Sequence, residues 1–579
     1  MSASLEAKTR EGQTFWAGED SAGRQLRVVR MGFWSVAVIA GLCEMWATRF
    51  SLSPDATNYL DMASACLRGD WKMAVNAYWS PLFSWLLALA MAIFRPGAYW
   101  ESTMVHIVNF VGFLAALGCF EYLLRVLLAT RKEMQCGQEE AGGLPELGFW
   151  ILGYGLFLST TLFVLVVRTA TPDIWTCAFT FLAGGLVLRI LVRGGGWVLF
   201  AALGATLGCA YLSKAFYFPM SFVFLLTAWV AAGSSRRAVK QAAVGLLFFA
   251  LVAGPWVAAL SQAKGRLTFG DVGKIAMAAT MDRVPRSHLW QGENGTGIPK
   301  HPVRRVLEKP QMFEYAVPVS GTYPPGFDWS YWMEGVKPYF NSTGLLAILR
   351  QSAGTYFQLF LEQAEYAVGM FALVFISAGK RAWREPVSRL MYLWGPALVA
   401  CGSYAVVLVE GRYVAPFLLL LWMAAFCCAF QAASGISRRT AVALVLGVVA
   451  VTGLRTVKLL QSDLTMILNK PRNVDWEIAQ RLHELGVRPG DQVSALGGTA
   501  EAQWAREAGV RFVSEIPLGE ERGFWAADDE TRRQVFRTFA GTGATTLITK
   551  DPPPGSEKEG WVPLGNMTLY VRVLREKVP

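Results

Sequence analysis

Asp55 lies just beyond the first long apolar segment, in the stretch Ser53-Pro54-Asp55-Ala56-Thr57-Asn58-Tyr59. Other ionisable residues sit in the same way at the ends of apolar segments. They are Asp61, Arg168 and Asp173 in Arg168-Thr169-Ala170-Thr171-Pro172-Asp173, Lys214 in Tyr211-Leu212-Ser213-Lys214, and Glu410 with Arg412 in Glu410-Gly411-Arg412-Tyr413. Charge next to lipid is costly, so a shared depth for these groups calls for a use. Carboxylates and cations in one layer suit the transfer of a sugar from a polyprenyl phosphate to a hydroxyl or amine. The departing phosphate needs cations to take up its charge, and Lys214, Arg412 and Arg168 are the candidates. An acceptor hydroxyl is a poor nucleophile at neutral pH, so a positioned carboxylate must take its proton as it attacks the anomeric carbon. Asp55 is the candidate base and Asp173 a second candidate catalytic carboxylate, with Tyr59 and Tyr413 as candidate substrate contacts. A single displacement of this kind inverts the anomeric centre.

Each residue also has a plainer role. Asp55 and Asp173 both suit helix caps, Lys214 and Arg412 suit side chains that reach phospholipid head groups, and Arg168 suits a simple partner for Asp173. Glu44, inside the first apolar segment, is expected to face a neighbouring helix rather than a substrate.

The elements that must position these groups follow from composition. A chain that is 53% hydrophobic and only 17% charged, with 22 Trp and 35 Phe, is a polytopic membrane protein. Segments of roughly 20 apolar residues, long enough to cross a bilayer, fall near 31–50, 102–129, 148–167, 173–192, 196–213, 215–233, 241–260, 356–378, 387–408, 414–433 and 440–459. About eleven spans are therefore expected. Lys and Arg accumulate on cytoplasmic loops. With Arg24, Arg27 and Arg30 inside, alternation places Arg131 with Lys132, Arg193, Arg236 with Arg237, Lys380 with Arg381, and Arg438 with Arg439 on that same side. The apolar stretch 81–94 would invert this order if it crossed, so it is expected to lie along the outer interface.

Residues 1–30 then form a cytoplasmic arm, 31–459 the membrane domain with long external connections at 51–101 and 261–355, and 460–579 an extracytoplasmic domain. The membrane is expected to be the plasma (inner) membrane. In the tail, helical spacing at 474–485 and strand-like runs at 492–496, 510–513, 545–549 and 569–574 alternate, as in a small α/β domain. The tail carries 15 basic and 17 acidic residues, so the net charge of +11 belongs to the membrane part and signals no nucleic-acid partner. The four histidines are scattered and make a His-based metal site improbable. Most of the nine cysteines lie in apolar segments, which argues against a disulfide framework.

Pro54-Asp55-Ala56-Thr57-Asn58-Tyr59-Leu60, followed by Gly69-Asp70-Trp71 and Ser80-Pro81-Leu82-Phe83-Ser84-Trp85-Leu86, resembles the first external loop of the GT-C membrane glycosyltransferases. The likeness is to the branch of protein O-mannosyltransferases and lipid A aminoarabinose transferases in particular. Thr171-Pro172-Asp173, Gly208 to Phe218 with Ser213-Lys214, and Arg412-Tyr413 with Pro416 also resemble that branch, so the likeness covers roughly 30–430. It implies seven core helices, interfacial helices in the first loop, a polyprenyl-phosphate sugar donor, and Asp55 as the base. Many relatives carry two adjacent acidic residues where this chain has Asp55-Ala56, so the motif lends no support to a bound divalent cation, and no cofactor is assigned. The acceptor, a glycan, lipid or protein, is left open by the long loop and the tail. Two other classes share the polytopic pattern: a lipid or sugar transporter or flippase, which should carry its charges at mid-membrane, and a non-catalytic envelope-assembly protein, which has no need to bring Asp55 and the cations together.

Overall fold

Each of the eleven apolar segments folds as helix, though not as eleven equivalent spans. The computed structural model describes residues 2–135, 144–165, 167–285, 289–292, 295–315, 319–376, 384–432, 436–498, 503–565 and 568–574. Among these, seven helices are long and apolar enough to cross a membrane: Gly23–Ala47, Ala98–Glu133, Glu146–Val164, Asp173–Arg193, Arg236–Lys264, Gly411–Gln431 and Arg438–Leu468. The segment near 356–378 is a bent pair, Ser342–Glu362 and Ala364–Ile376, turned by 81°. The segments near 196–213 and 215–233 are the short helices Trp197–Ser213 and Tyr217–Ala231, of 17 and 15 residues. At ~1.5 Å per residue both fall short of ~30 Å of hydrocarbon. The helix Arg384–Ala405 fills the segment near 387–408. One contiguous apolar core, with Phe120, Phe157, Phe181, Leu207, Leu393 and Phe417 among its buried side chains, packs these helices together.

The first connection folds as three helices. Ser53 caps Pro54–Leu67 by accepting from the Ala56 N–H at 3.3 Å, and Pro54 fits the first helical turn, where its missing N–H costs nothing. Trp71–Ala74 follows, then Pro81–Phe94, a 14-residue helix bound back to the first through Ser84, whose hydroxyl donates to the Tyr59 carbonyl. Ala56, Tyr59, Leu60, Phe83 and Leu87 form their own apolar cluster against Met104 and Val105 at the start of the next long helix.

The second connection and the tail build one seven-stranded sheet. Its strands are β1 (Arg304–Leu307), β2 (Met312–Glu314), β3 (Gln492–Leu496), β4 (Arg511–Ile516), β5 (Thr546–Lys550), β6 (Val562–Pro563) and β7 (Leu569–Val573). The order is β1-β2-β4-β3-β5-β7-β6, with β4, β3 and β5 parallel and the flanking pairs antiparallel. The parallel centre is the α/β alternation expected for the tail, with Gln503–Glu507 and Asp529–Gly541 as its crossover helices. The antiparallel edge is unforeseen: β2 comes from the second connection and pairs Phe313 with Glu515. Beneath the sheet, Met62 of the first connection, Phe313, Phe327 and Trp332 of the second, and Ile478, Trp504 and Phe512 of the tail share one apolar cluster. The two long connections and the tail therefore stand on the same side of the helical bundle and form a single body there.

Candidate active site

Four helix ends meet where that body sits on the bundle. Pro54–Leu67, Asp173–Arg193 and Gly411–Ala432 bring their N-termini, and Trp197–Ser213 brings its C-terminus, immediately followed by Lys214 in extended conformation. Asp55 and Asp173 occupy the first turns of their helices, where the helix dipole favours a carboxylate. The Thr171 hydroxyl donates to Asp173 Oδ2 at 2.9 Å. Gly411 is required by a close approach: a side chain there would bring Cβ within 2.9 Å of the Val164 carbonyl, next to the single π-helical turn Thr160–Val164. Pro416 lacks the N–H that would bond the Arg412 carbonyl, loosening the first turn of the same helix.

The charged groups form a chain. Arg412 Nη1 donates to Asp55 Oδ2 at 3.1 Å and stands 3.7 Å from Asp173 Oδ2, while its Nε donates to Glu410 Oε2 at 2.8 Å. Lys214 Nζ donates to the other oxygen of Asp173 at 2.6 Å. The order is thus Asp55, Arg412, Asp173, Lys214. Asp173 is the innermost, with a side chain 3% exposed against 32% for Asp55, and Lys214 and Arg412 both at 21%. Tyr413 forms the floor: Lys214 Nζ lies 3.3 Å from its ring centroid, and Arg412 Nη2 donates to its hydroxyl at 3.2 Å. Behind it Tyr404 stacks on Tyr413 at 5.6 Å and Phe216 on Tyr404 at 4.1 Å, continuing the aromatic surface into the bundle.

The structure thus brings together Asp55, Asp173, Lys214, Arg412 and Tyr413. Tyr59 is set back. Its ring is buried against Trp79 and Phe83, at 5.2 and 5.4 Å. Burial, with Asp55 and Asp173 adding to it, pushes its phenol well above the usual range, so it is held as a neutral hydroxyl. Arg168 is not in the cluster. It is exposed, and its charge faces Glu44 and Asp463 between the first and last long helices. Glu410 is a closer partner of the cluster than its position before the helix suggested. Among the described residues no three His, Cys, Asp or Glu side chains converge as metal ligands, and the eight described cysteines are all free.

The first-connection helix that carries Asp55 is braced from above. The stretch 321–329 packs on the first connection: Asp61 of this helix accepts from the Thr322 N–H at 2.7 Å, and farther along Asn76 Nδ2 donates to the Phe327 carbonyl at 2.8 Å and Trp79 Nε1 to the Gly326 carbonyl at 3.3 Å. From the tail, Arg506 donates to Asp61 Oδ1 at 2.6 Å, to Glu101 Oε2 at 2.8 Å and to Ser64 Oγ at 3.0 Å. Gln503 accepts from the Leu52 N–H at 2.9 Å and donates to the Phe50 carbonyl at 3.1 Å. Sequence reasoning did not link these residues, for Arg506 and Asp61 are separated by 445 positions.

No protein-family model matches the chain, and no curated protein matches it by sequence. Solved structures do. ArnT from Cupriavidus metallidurans, in the crystal structure bound to undecaprenyl phosphate, aligns over 94% of this chain and 98% of its own at 12% identity, with a TM-score of 0.51. The oligosaccharyltransferase of Archaeoglobus fulgidus in its apo form aligns over 90% of this chain and 69% of its own at 14% identity, with a TM-score of 0.47. The ArnT alignment, spanning nearly the whole of both chains, shows that this multi-pass membrane protein shares that structure's overall fold.

Proposed function

We propose that this chain, built on the GT-C fold, is a membrane glycosyltransferase that moves a sugar from a polyprenyl phosphate to an acceptor hydroxyl or amine, with inversion. The observation that carries the reading is the chain Asp55, Arg412, Asp173, Lys214 at the meeting of helix ends. Asp55, at its outer end, is the base. It takes the acceptor proton as the acceptor oxygen or nitrogen bonds to the anomeric carbon and the bond from that carbon to the phosphate oxygen breaks. Lys214, at the other end, receives the leaving phosphate, helped by the N-terminus of Asp173–Arg193. Asp173 is a positioning residue rather than a base, because its oxygens are already taken by Thr171, Lys214 and Arg412. Arg412 touches both carboxylates, so a sugar entering between base and phosphate displaces it from Asp55 and frees that carboxylate to accept a proton.

The donor is read as a polyprenyl-phosphate sugar because the site combines cations with an aromatic surface leading into the apolar bundle. ArnT's solved complex with undecaprenyl phosphate supports this choice. The acceptor enters from the side of the two long connections and the tail. The Lys and Arg distribution supports a cytoplasmic N-terminus, with that body extracytoplasmic in the plasma membrane.

The decisive measurement is transfer by purified protein from a radiolabelled polyprenyl-phosphate sugar, with Asp55→Asn as the variant. A base of this kind contributes about 10²–10⁴ in rate, so turnover should fall by that factor while donor binding stays nearly unchanged. Undiminished turnover in the variant rejects Asp55 as the base.

A further inference from the structure

A second polar concavity lies apart from the Asp55 cluster, where the first connection, the second connection and the tail meet. It is a cavity of about 330 Å³, lined by Asp61, Ser64, Arg68, Glu101, Arg506 and Arg511 among others. Its two acids are already committed. Asp61 and Glu101 both hold Arg506, and Asp61 also accepts from the N–H and the hydroxyl of Thr322, at 2.7 and 3.1 Å. Among the described residues the other two arginines have no acid. Arg511 donates through Nη2 to the Val319 carbonyl, and its buried Nε has no hydrogen-bond partner among the described residues. Burial with no carboxylate beside it pulls its pKa below the usual arginine range. Arg68, exposed at the C-cap of Pro54–Leu67, makes no ion pair among the described residues. Three guanidinium groups against two carboxylates leave the lining with one net positive charge. That Nε is closed to solvent and cannot itself meet a ligand, but the guanidinium it belongs to carries the same uncompensated charge into the lining, which favours an anion there.

We propose that this cavity binds an oxyanion, a phosphate or carboxylate, carried by the acceptor. The assignment to the acceptor rests on the glycosyltransferase reading, whereas the anion site itself does not. Asp61 lies six residues beyond Asp55 on one helix and Arg68 thirteen, which is about 9 and 20 Å along the axis at the α-helical rise. An anion held there would therefore fix an acceptor a few sugar units away from its reacting hydroxyl, leaving that hydroxyl at Asp55. The acceptor class is an acidic glycan or glycolipid, with its charge remote from the site of transfer.

The test uses the full-length protein in nanodiscs of zwitterionic lipid, titrated calorimetrically with inorganic phosphate, with glucuronate, and with neutral glucose. The background carries Lys214→Ala and Arg412→Ala, which removes both cations of the Asp55 cluster. Phosphate or glucuronate, whichever matches the acceptor's group, should still bind in this background, and glucose should not. Arg511→Met and Arg68→Glu should each weaken that binding by about tenfold or more, as loss of one charge-assisted contact implies. Arg511→Lys should restore part of it. Arg68→Glu guards against misfolding of Arg511→Met, because Arg68 is exposed. Loss of all anion binding in the double-alanine background overturns the proposal. So does anion binding that neither arginine variant moves, or glucose binding as tightly as the anions. Absence of transfer by the unsubstituted protein would strike the glycosyltransferase reading and leave these titrations untouched.

Discussion

Arg506→Met should undock the tail from the helix that carries Asp55. The substitution keeps the apolar stem of the side chain and removes only the guanidinium. The Arg506 side chain is 12% exposed, and those of Asp61 and Glu101 are 7% and 15%. Although burial works against its charge, Glu101 and Asp61 raise the Arg506 pKa. Without it, two nearly buried carboxylates face each other with no cation between them. Breaking a buried pair in this way costs about 3–5 kcal/mol, which is at least a hundredfold shift, roughly, toward the undocked arrangement. Gln503 alone, with its bonds to Phe50 and Leu52, does not offset that loss. Hydrogen exchange should report it directly: amides of Pro54–Leu67 and of β4 near Phe512 should lose protection, and the thermal midpoint should fall. Asp61→Asn added to Arg506→Met should recover a large part of the loss, because it removes one of the stranded charges. Unchanged exchange across residues 54–67 in Arg506→Met, or strict additivity in the double variant, would refute the reasoning.

Lys214→Ala should raise the donor KM by about tenfold or more through loss of a charge-assisted contact to phosphate, with a smaller change in kcat; steady-state transfer kinetics would show the reverse pattern if Lys214 served only to hold Asp173. A pH dependence should come from Glu507, whose carboxyl is pushed up by burial from its ordinary 4.5 to about 7. The folded protein then holds this proton more tightly than the unfolded chain, so its contribution is fully present below about pH 4.5 and is lost as pH rises through 7, about 3 kcal/mol at most. Glu507→Gln should therefore raise the thermal midpoint at pH 8 and leave it nearly unchanged at pH 4.5, and an equal shift at both values would contradict the sign.

Much of the bundle is legible because each apolar segment is bounded by charge or by a helix signal. Ser53-Pro54 and Pro172-Asp173 announce helix starts that the structure keeps. The span count is harder to read, since length alone separates a full crossing from the helices of 17 and 15 residues, and nothing in the sequence marks the 81° bend at Gln363. The reactive layer was visible as charge at segment ends. The same reasoning predicts Arg168 in it, yet chain proximity to Asp173 does not determine direction. The segment before Arg168 ends in a π-helical turn, which adds a residue and changes where the following side chains face. The sheet edge was illegible because β2 has only three residues and finds its partner about two hundred positions later. Local periodicity cannot report such a pairing.

The shared sheet constrains how this protein can be re-engineered. A chimera that transplants only the residues after 460 from a relative would leave the hairpin of β1 and β2 without the strand it lies against, and would uncover Phe313 and Trp332. An open strand edge beside bare aromatic surface invites adhesion to other chains. Any redesign of what docks above Asp55 must therefore rewrite the second connection and the tail in step, as two halves of one interlocked part.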